Sequence, residues 1–485
     1  MQSDSSQSSR QSCGQSLTEL RAHLRAHGQE HLLQFWDELT PAERNELASQ
    51  IASLDIDQVK ALHREATSDT EGAAEDSLAA RAARAQAPPA VRLTDQASNT
   101  AMAERAKRTG EAALAAGKVG VALVAGGQGS RLGFDHPKGL FPIGPVSGAT
   151  LFQILFQKIV ATQAKYGADI PLYLMTSPAT HEETLSALDE FDRWGLSAEN
   201  ISVFCQGTMP AVDAKTGRLL LEAKGRLFLS PDGHGGMLPA LVRSGALLDM
   251  RRRGLTQLFY MQIDNPLVGV CDPTFLGYHL GSGSELSTQV VAKHEPLERV
   301  GNVVSIDGHV QIIEYSDLPE SAARQTLADG SLKLWAGNIA VHVFEVAFLE
   351  RVSRDSGSMP FYIARKAVPH LNEVGALVTP EKPTAIKFER FIFDLMPAAR
   401  HSLVYEVDQQ KSFAPLKNAS GAKTDSPESV QAQMIALHRG WLESAGVKVD
   451  DGVRVEISPL FALDAAGVAE RVSAETQIKS DQYFQ

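Results

Sequence analysis

A glycine-rich loop carrying two cations is the segment best equipped for chemistry. It reads Ala125-Gly126-Gly127-Gln128-Gly129-Ser130-Arg131-Leu132-Gly133, followed by Pro137-Lys138-Gly139. Glycines this closely spaced let the backbone approach a polyphosphate and aim several N–H groups at it. Arg131 and Lys138 add fixed positive charge, which a triphosphate needs and a neutral ligand does not. A Walker A loop would carry Gly-Lys followed by Ser or Thr, which is absent. A dinucleotide loop would expect an acid near the end of the second strand, and residues 171–177 offer none. A structural glycine turn leaves the Arg and Lys unexplained. Further on, Asp264 ends an apolar run, where a carboxylate is costly without a cation or hydrogen bonds. No nucleophile-elbow motif is present, and no histidine pair has the spacing of a zinc protease.

Positioning these residues requires strands. A short apolar strand, 119–125, runs straight into the glycine loop, and further strands are expected at 171–176, 201–204 and 258–263. Helical patterns lie between them at 151–166, 181–194 and 238–253. Apolar strands alternating with helices imply an α/β fold with a doubly wound, mainly parallel sheet. Such sheets bind ligands at the carboxyl ends of their strands, where each of these residues falls. After Pro273 the pattern changes to alternating strands at 288–293, 301–306 and 309–315, with Asp307-Gly308 as a hairpin turn. Strand and helix return at 332–349 and 385–395.

The first ninety residues read as a helical arm. Leu17, Leu20 and Leu24 recur at helical spacing, and Thr40-Pro41-Ala42-Glu43 is a helix start. Residues 66–89 read as a linker or weakly held helix. A polar stretch, 418–428, precedes a small β-rich module with a strand near 453–457. The expected division is 1–90, 91–417 and 418–485.

At 485 residues the chain is too long for one compact core. A net charge of -12 argues against a general nucleic-acid binder but leaves room for a local cationic pocket. Cys13, Cys205 and Cys271 form neither a disulfide framework nor a zinc spacing. The polar N-terminus lacks a signal peptide's apolar core, and no apolar run reaches the ~18 residues of a membrane helix. The expected compartment is the cytoplasm.

The segment 123–133 with Pro137-Lys138-Gly139 resembles the signature of the eukaryotic-type UDP-sugar pyrophosphorylases. The likeness continues through Gly28-Gln29-Glu30-His31, Gln206-Gly207-Thr208-Met209-Pro210-Ala211, Asp232-Gly233-His234-Gly235-Gly236, Ile263-Asp264-Asn265, Glu314-Tyr315-Ser316, Gly337-Asn338-Ile339-Ala340, Ile386-Lys387-Phe388-Glu389 and Glu456-Ile457-Ser458-Pro459-Leu460. It is similar most of all to the branch using N-acetylglucosamine 1-phosphate, with the glucose and broad UDP-sugar branches as the alternative. One departure stands out: the acetylglucosamine branch carries Asn where this chain has His234, and Gly-His-Gly is similar to the glucose-type loop.

The resemblance implies a nucleotide-diphospho-sugar transferase fold and transfer of uridylyl from UTP to a sugar 1-phosphate. It implies that Arg131, Lys138 and, from another domain, Lys387 engage phosphate, with Lys417 a weaker candidate. Gly126, Gly127, Gln206 and Gly233 would hold the nucleotide, Gln206 and Gly233 reading uracil. His234, Glu314 and Asn338 would face the sugar. Asp264 would hold Mg²⁺, which suits a single carboxylate beside substrate phosphates; a helix N-cap is its other reading. No nucleic-acid or membrane partner is implied.

Overall fold

The computed structural model describes residues 16–67, 78–355 and 359–485. Cys13 and part of the expected linker lie outside them. Two compact units emerge. The larger comprises the described parts of Gly72–Gly207, His234–Pro360 and Phe391–Gln485. The smaller comprises those of Met1–Glu71, Thr208–Gly233 and Phe361–Arg390. The units therefore do not follow the expected cuts at 90 and 417, because cores recruit residues remote in sequence.

The larger unit is built on a ten-stranded sheet. Its strands are β1 (Ala90–Val91), β2 (Val119–Val124), β3 (Leu172–Thr176), β4 (Ile201–Cys205), β5 (Gln257–Gln262), β6 (Leu286–Ala292), β7 (Asn302–Ile306), β8 (His309–Ile313), β9 (Ala336–Glu345) and β10 (Ser402–Glu406). The main order is β1-β10-β6-β9-β5-β2-β3-β4. Every neighbouring pair along it is parallel except those made by β9.

Period-two alternation explains why both faces are covered. Val121, Leu123, Leu172, Leu174, Phe259 and Met261 point into one core. Ala122, Tyr173, Met175, Leu258 and Tyr260 point into the other. Helix Leu151–Tyr166 packs in the first core, started by Thr150, whose hydroxyl accepts from the Gln153 N–H. The expected single helix at 238–253 is two, Met237–Arg243 and Ala246–Arg252, because Gly245 takes φ +77° between them.

β7 and β8 form the expected hairpin, with Asp307 and Gly308 both at positive φ, as a two-residue primed turn requires. β6, expected to alternate, is buried almost throughout because it lies inside the sheet between β10 and β9. The C-terminal module has short strands in two parallel pairs, Lys448–Val449 with Gln477–Ile478 and Val455–Ile457 with Gln482–Phe484. They surround helix Pro427–Ser444, whose Val430 and Met434 join the first core while Leu442 joins the module's own.

The smaller unit packs helices Leu17–His27, Pro41–Ala52 and Ile56–Thr67 against short strands. The middle strand of its three-stranded sheet is Ala385–Glu389. Leu20, Leu24, Leu47 and Ile51 share a core with Val212, Leu221, Ile386 and Phe388. Gln29 adds a polar tie: its amide donates to Gly217 O (3.2 Å) and accepts from Leu219 N (2.9 Å).

Helices Thr100–Ala115 and Pro273–Ser282 in the larger unit approach each other at two glycines. A Cβ on Gly277 would lie 1.7 Å from Ala106 O, and one on Gly110 would lie 1.9 Å from Pro273 O. Both obstacles are backbone, so the helices themselves must separate. Gly277→Ala is expected to destabilise the larger unit by about 1–3 kcal/mol, read as a lower denaturant midpoint; an unchanged midpoint would mean that the contact is not tight.

Candidate active site

Parallel register brings the glycine loop and Asp264 together. β2 and β5 pair through Val124 and Gln262, and Ile263 N donates to Val124 O (3.0 Å). The chain leaving β2 becomes Gly126-Gly127, and the chain leaving β5 becomes Asp264. The loop is tied to itself: Gly129 N donates to His136 O (2.9 Å) and Lys138 N to Gly127 O (3.0 Å). These bonds fold Pro137-Lys138 back over the glycines, and Arg131 stays exposed.

Lys138 is partly buried, and its ammonium donates to Leu416 O (3.2 Å). Burial lowers its pKa; Asp264 opposes that shift, while Lys417 and Arg131 reinforce it. Asp264, Lys417 and Arg131 therefore all lie within electrostatic reach of one ammonium. The Asp264 carboxylate is half-buried and has no hydrogen bond or ion pair among the described residues. Its backbone is held firmly: Leu416 N donates to Asp264 O (2.8 Å).

Asn265, next in the chain, fixes that geometry. Its amide donates to Ser412 O (2.8 Å), and its oxygen accepts from Leu267 N (3.2 Å) and Ala414 N (3.1 Å). Lys158 grips the same loop from helix Leu151–Tyr166, donating to Pro266 O (2.6 Å) and Val268 O (2.8 Å). Burial pushes its pKa down to about 7.

No group of three His, Cys, Asp or Glu side chains among the described residues could hold a metal ion. A cation here would take Asp264 plus oxygens from a bound phosphate and water, which is how Mg²⁺ is commonly held. The unpaired carboxylate fits that use.

Gln206 follows β4, and its N–H donates to Thr176 O at the end of β3 (2.9 Å). Its side chain lies over Gly126, where an added Cβ would come within 2.4 Å of Oε1. Among the described residues this amide has no hydrogen-bond partner, so a ligand edge has both a donor and an acceptor to meet.

Glu314 and Asn338 meet across Gly301. Asn338 N donates to Gly301 O (2.8 Å), and a Cβ on Gly301 would lie 2.9 Å from Glu314 Oε1. A bulge in β9 aims Asn338. The register with β6 shifts beyond Val290–Asn338, and Ala340 takes φ +56°, rare for a residue with a Cβ. Ala340 N donates to Asn338 Oδ1 (3.1 Å), which leaves the amide nitrogen for a ligand. Burial raises the pKa of Glu314 to about 7; Asp317 and Asp394 push the same way and Lys417 opposes them.

His234 sits at the start of the turn before helix Met237–Arg243. Its ring packs against Phe391 and Phe393, with centroids 5.3 and 5.5 Å apart. Ile392 N donates to its Nδ1 (3.2 Å), and burial pushes its pKa down to about 4. The ring is thus neutral at pH 7, and its one proton is on Nε2. Sequence reasoning left the tautomer open; this backbone bond decides it.

Two expected residues belong to the smaller unit. Gly233 has φ +82°, and a Cβ there would lie 2.4 Å from Arg390 O. Lys387 lies on the middle strand, its ammonium 5.0 Å from the Phe228 ring centroid, and burial lowers its pKa. The larger unit collects Gly126, Gly127, Arg131, Lys138, Gln206, His234, Asp264, Glu314 and Asn338.

Lys417, expected as a minor candidate, shifts both Lys138 and Glu314 and lines a cavity of about 490 Å³ with Arg299 and Lys423. Arg299, Lys423, Asn265, Lys158 and Asp394 escaped sequence reasoning. The family-like run Ile263-Asp264-Asn265 carried a signal for Asn265; the others sit in no recognisable motif.

Comparison with known proteins gives a consistent result. The family model described as UTP--glucose-1-phosphate uridylyltransferase matches residues 56–456. A Saccharomyces cerevisiae protein named UDP-N-acetylglucosamine pyrophosphorylase is 35% identical, the alignment covering 89% of this chain and 92% of that protein. A Mus musculus protein named UDP-N-acetylhexosamine pyrophosphorylase-like protein 1 is also 35% identical, over 91% and 92% of the two chains. The fold is shared with the uridine diphosphate N-acetylglucosamine pyrophosphorylase of Trypanosoma brucei, solved with an inhibitor. That structure gives a TM-score of 0.80 at 24% identity, covering 95% of this chain and 98% of the other.

The Gly126–Gln206 contact has a testable consequence. Gly126→Ala meets the far end of a flexible side chain, so its stability is expected to stay within about 1 kcal/mol. The displaced amide is expected to weaken uridine-nucleotide binding about tenfold by calorimetry. Unchanged affinity would remove Gln206 from the nucleotide site.

Proposed function

The chain belongs to the UTP--glucose-1-phosphate uridylyltransferase family, and we propose that it forms UDP-N-acetylglucosamine and pyrophosphate from UTP and N-acetylglucosamine 1-phosphate. One observation carries this reading. The larger unit groups a phosphate loop, a cation pair and an unpaired carboxylate, with Glu314 and Asn338 gathered across Gly301. The names of the yeast and mouse relatives support the acetylated sugar. The test is turnover with UTP, Mg²⁺ and a panel of sugar 1-phosphates; no pyrophosphate release with any of them would defeat it.

In this reaction a phosphate oxygen of the sugar 1-phosphate attacks the α-phosphorus of UTP. The bond from that phosphorus to the bridging oxygen breaks, and pyrophosphate leaves with the electron pair. Two anions must approach, so the chain's first task is to neutralise charge. Lys138 and Arg131 do this at the triphosphate, with Lys417 beside them. Gln206 pairs with the edge of uracil. Asp264 would hold Mg²⁺, which when bound screens phosphate charge. No covalent enzyme intermediate is needed, so the side chains position and neutralise.

Glu314 accepts hydrogen bonds from sugar hydroxyls in its ionised form. With its pKa at about 7, that form is lost as pH falls through neutrality. KM for the sugar phosphate is expected to fall about threefold or more from pH 6 to 8 in the native protein. Glu314→Gln is expected to show a weaker dependence, leaving only the titration of the sugar phosphate itself. Identical pH profiles would exclude Glu314 as the titrating acceptor.

A second reading, toward glucose or galactose 1-phosphate, is favoured by His234. Its Nε2–H is a single fixed donor on a ring wedged against Phe391 and Phe393. Asn there would offer both a donor and an acceptor on a smaller frame. His234→Asn is expected to raise the kcat/KM ratio of acetylated to plain sugar phosphate by about five- to tenfold. An unchanged ratio would mean that residue 234 does not select the sugar.

A further inference from the structure

The C-terminal motif Glu456-Ile457-Ser458-Pro459-Leu460 plays no part in the chemistry above, yet its first residue makes a demanding set of contacts. Glu456 is only 3% exposed. One carboxylate oxygen accepts from Val146 N (2.7 Å) and Ser147 N (2.7 Å), and the other from Ser147 Oγ (2.6 Å). Arg454, just before the strand Val455–Ile457, donates to Pro145 O (3.2 Å). Asp481 holds that guanidinium by accepting from its Nε (2.7 Å). The C-terminal strand therefore grips both the carbonyl and the N–H side of one turn, Pro145 to Ser147.

That turn closes the segment that begins with Pro137-Lys138. Ile143 N and Gly144 N both donate to Ala149 O (2.9 Å each), and Leu151 N donates to Phe141 O (3.2 Å). Pro142 and Thr150 form a bridge between the two arms. Lys138 sits at the open end, where Gly139 lies so close to Phe152 that a Cβ would come within 2.1 Å of the ring. At the closed end a Cβ on Gly144 would lie 2.7 Å from Glu456 Oε1. A segment with one end against Phe152 and the other in the carboxylate has little freedom to slide.

We propose that Glu456 is a positioning residue for Lys138, so that the C-terminal strand completes the phosphate loop by holding the turn Pro145 to Ser147. The inference rests on the reading above that Lys138 neutralises the triphosphate. Glu456 touches no reacting atom and acts only through the loop.

A double-mutant cycle in the full-length chain tests it. Glu456→Gln keeps the volume and one acceptor, and puts an N–H₂ where an acceptor is needed. It is expected to lower kcat/KM for UTP about tenfold while leaving KM for the sugar phosphate unchanged. In a Lys138→Ala background the same change is expected to cost less than about twofold, because the group it positions is gone. Glu456→Ala, checked by circular dichroism and thermal midpoint, should exceed Glu456→Gln; if it does not fold, the cycle with Gln still decides. Losses of equal size in both backgrounds would overturn the inference. So would wild-type UTP kinetics in Lys138→Ala, which leaves nothing to position but leaves the uridylyltransferase reading standing. A native chain that transfers no uridylyl group overturns that reading and this inference with it.

Discussion

β2 and β5 run parallel and in phase, so they end at the same level, and the candidate site follows from that fact. A strand buried on both faces keeps polar side chains out until it emerges. Two adjacent strands emerging together deliver an N–H-rich loop and a carboxylate side by side. A one-residue slip of either strand would turn every side chain on it to the opposite face of the sheet. The two cores on either side forbid that slip, because Val121 and Leu123 match one of them and Ala122 the other. Packing on both faces thus fixes the register that brings the glycine loop beside Asp264.

The charges follow the same logic. Asp264 and Lys417 link the glycine loop of the larger unit with His234 and Glu314. Asp264 acts on Lys138 and His234, and Lys417 acts on Lys138 and Glu314. Burial alone would favour a neutral Lys138 and a protonated Glu314. Each of the two linking groups therefore sustains the charged form of a neighbour that the interior penalises. A bound polyanion would strengthen the cations further.

Much of this was readable from residue types alone. Apolar strands alternating with helices gave β2, β3, β4 and β5, and Thr40-Pro41-Ala42-Glu43 gave a helix start whose capping box is present. The strand ends placed Asp264 and Gln206. What remained hidden depended on contacts between residues far apart in the chain. Nothing near Gly301 announces that it is the saddle between Glu314 and Asn338, and nothing in Ala340 announces a left-handed bulge. The His234 tautomer is decided by a backbone N–H 158 positions away. The three-way cut of the chain also failed to foresee the compact units, since hydrophobic periodicity says which face is buried but not against what.

The smaller unit's core has a consequence for how the protein is made. Ile386 and Phe388 leave the ribosome some 360 residues after Leu20 and Leu24, their partners in that core. At roughly 5–20 residues per second, the first helices wait on the order of twenty to seventy seconds for the strand that completes their core. Through that interval their leucine faces have only partial cover, and closing so long a loop is paid for in chain entropy before any contact is gained. A nascent chain therefore keeps part of that leucine surface open until residues 385–389 arrive, and a ribosome stalled before residue 385 would hold a chain whose first helices have no finished place to dock.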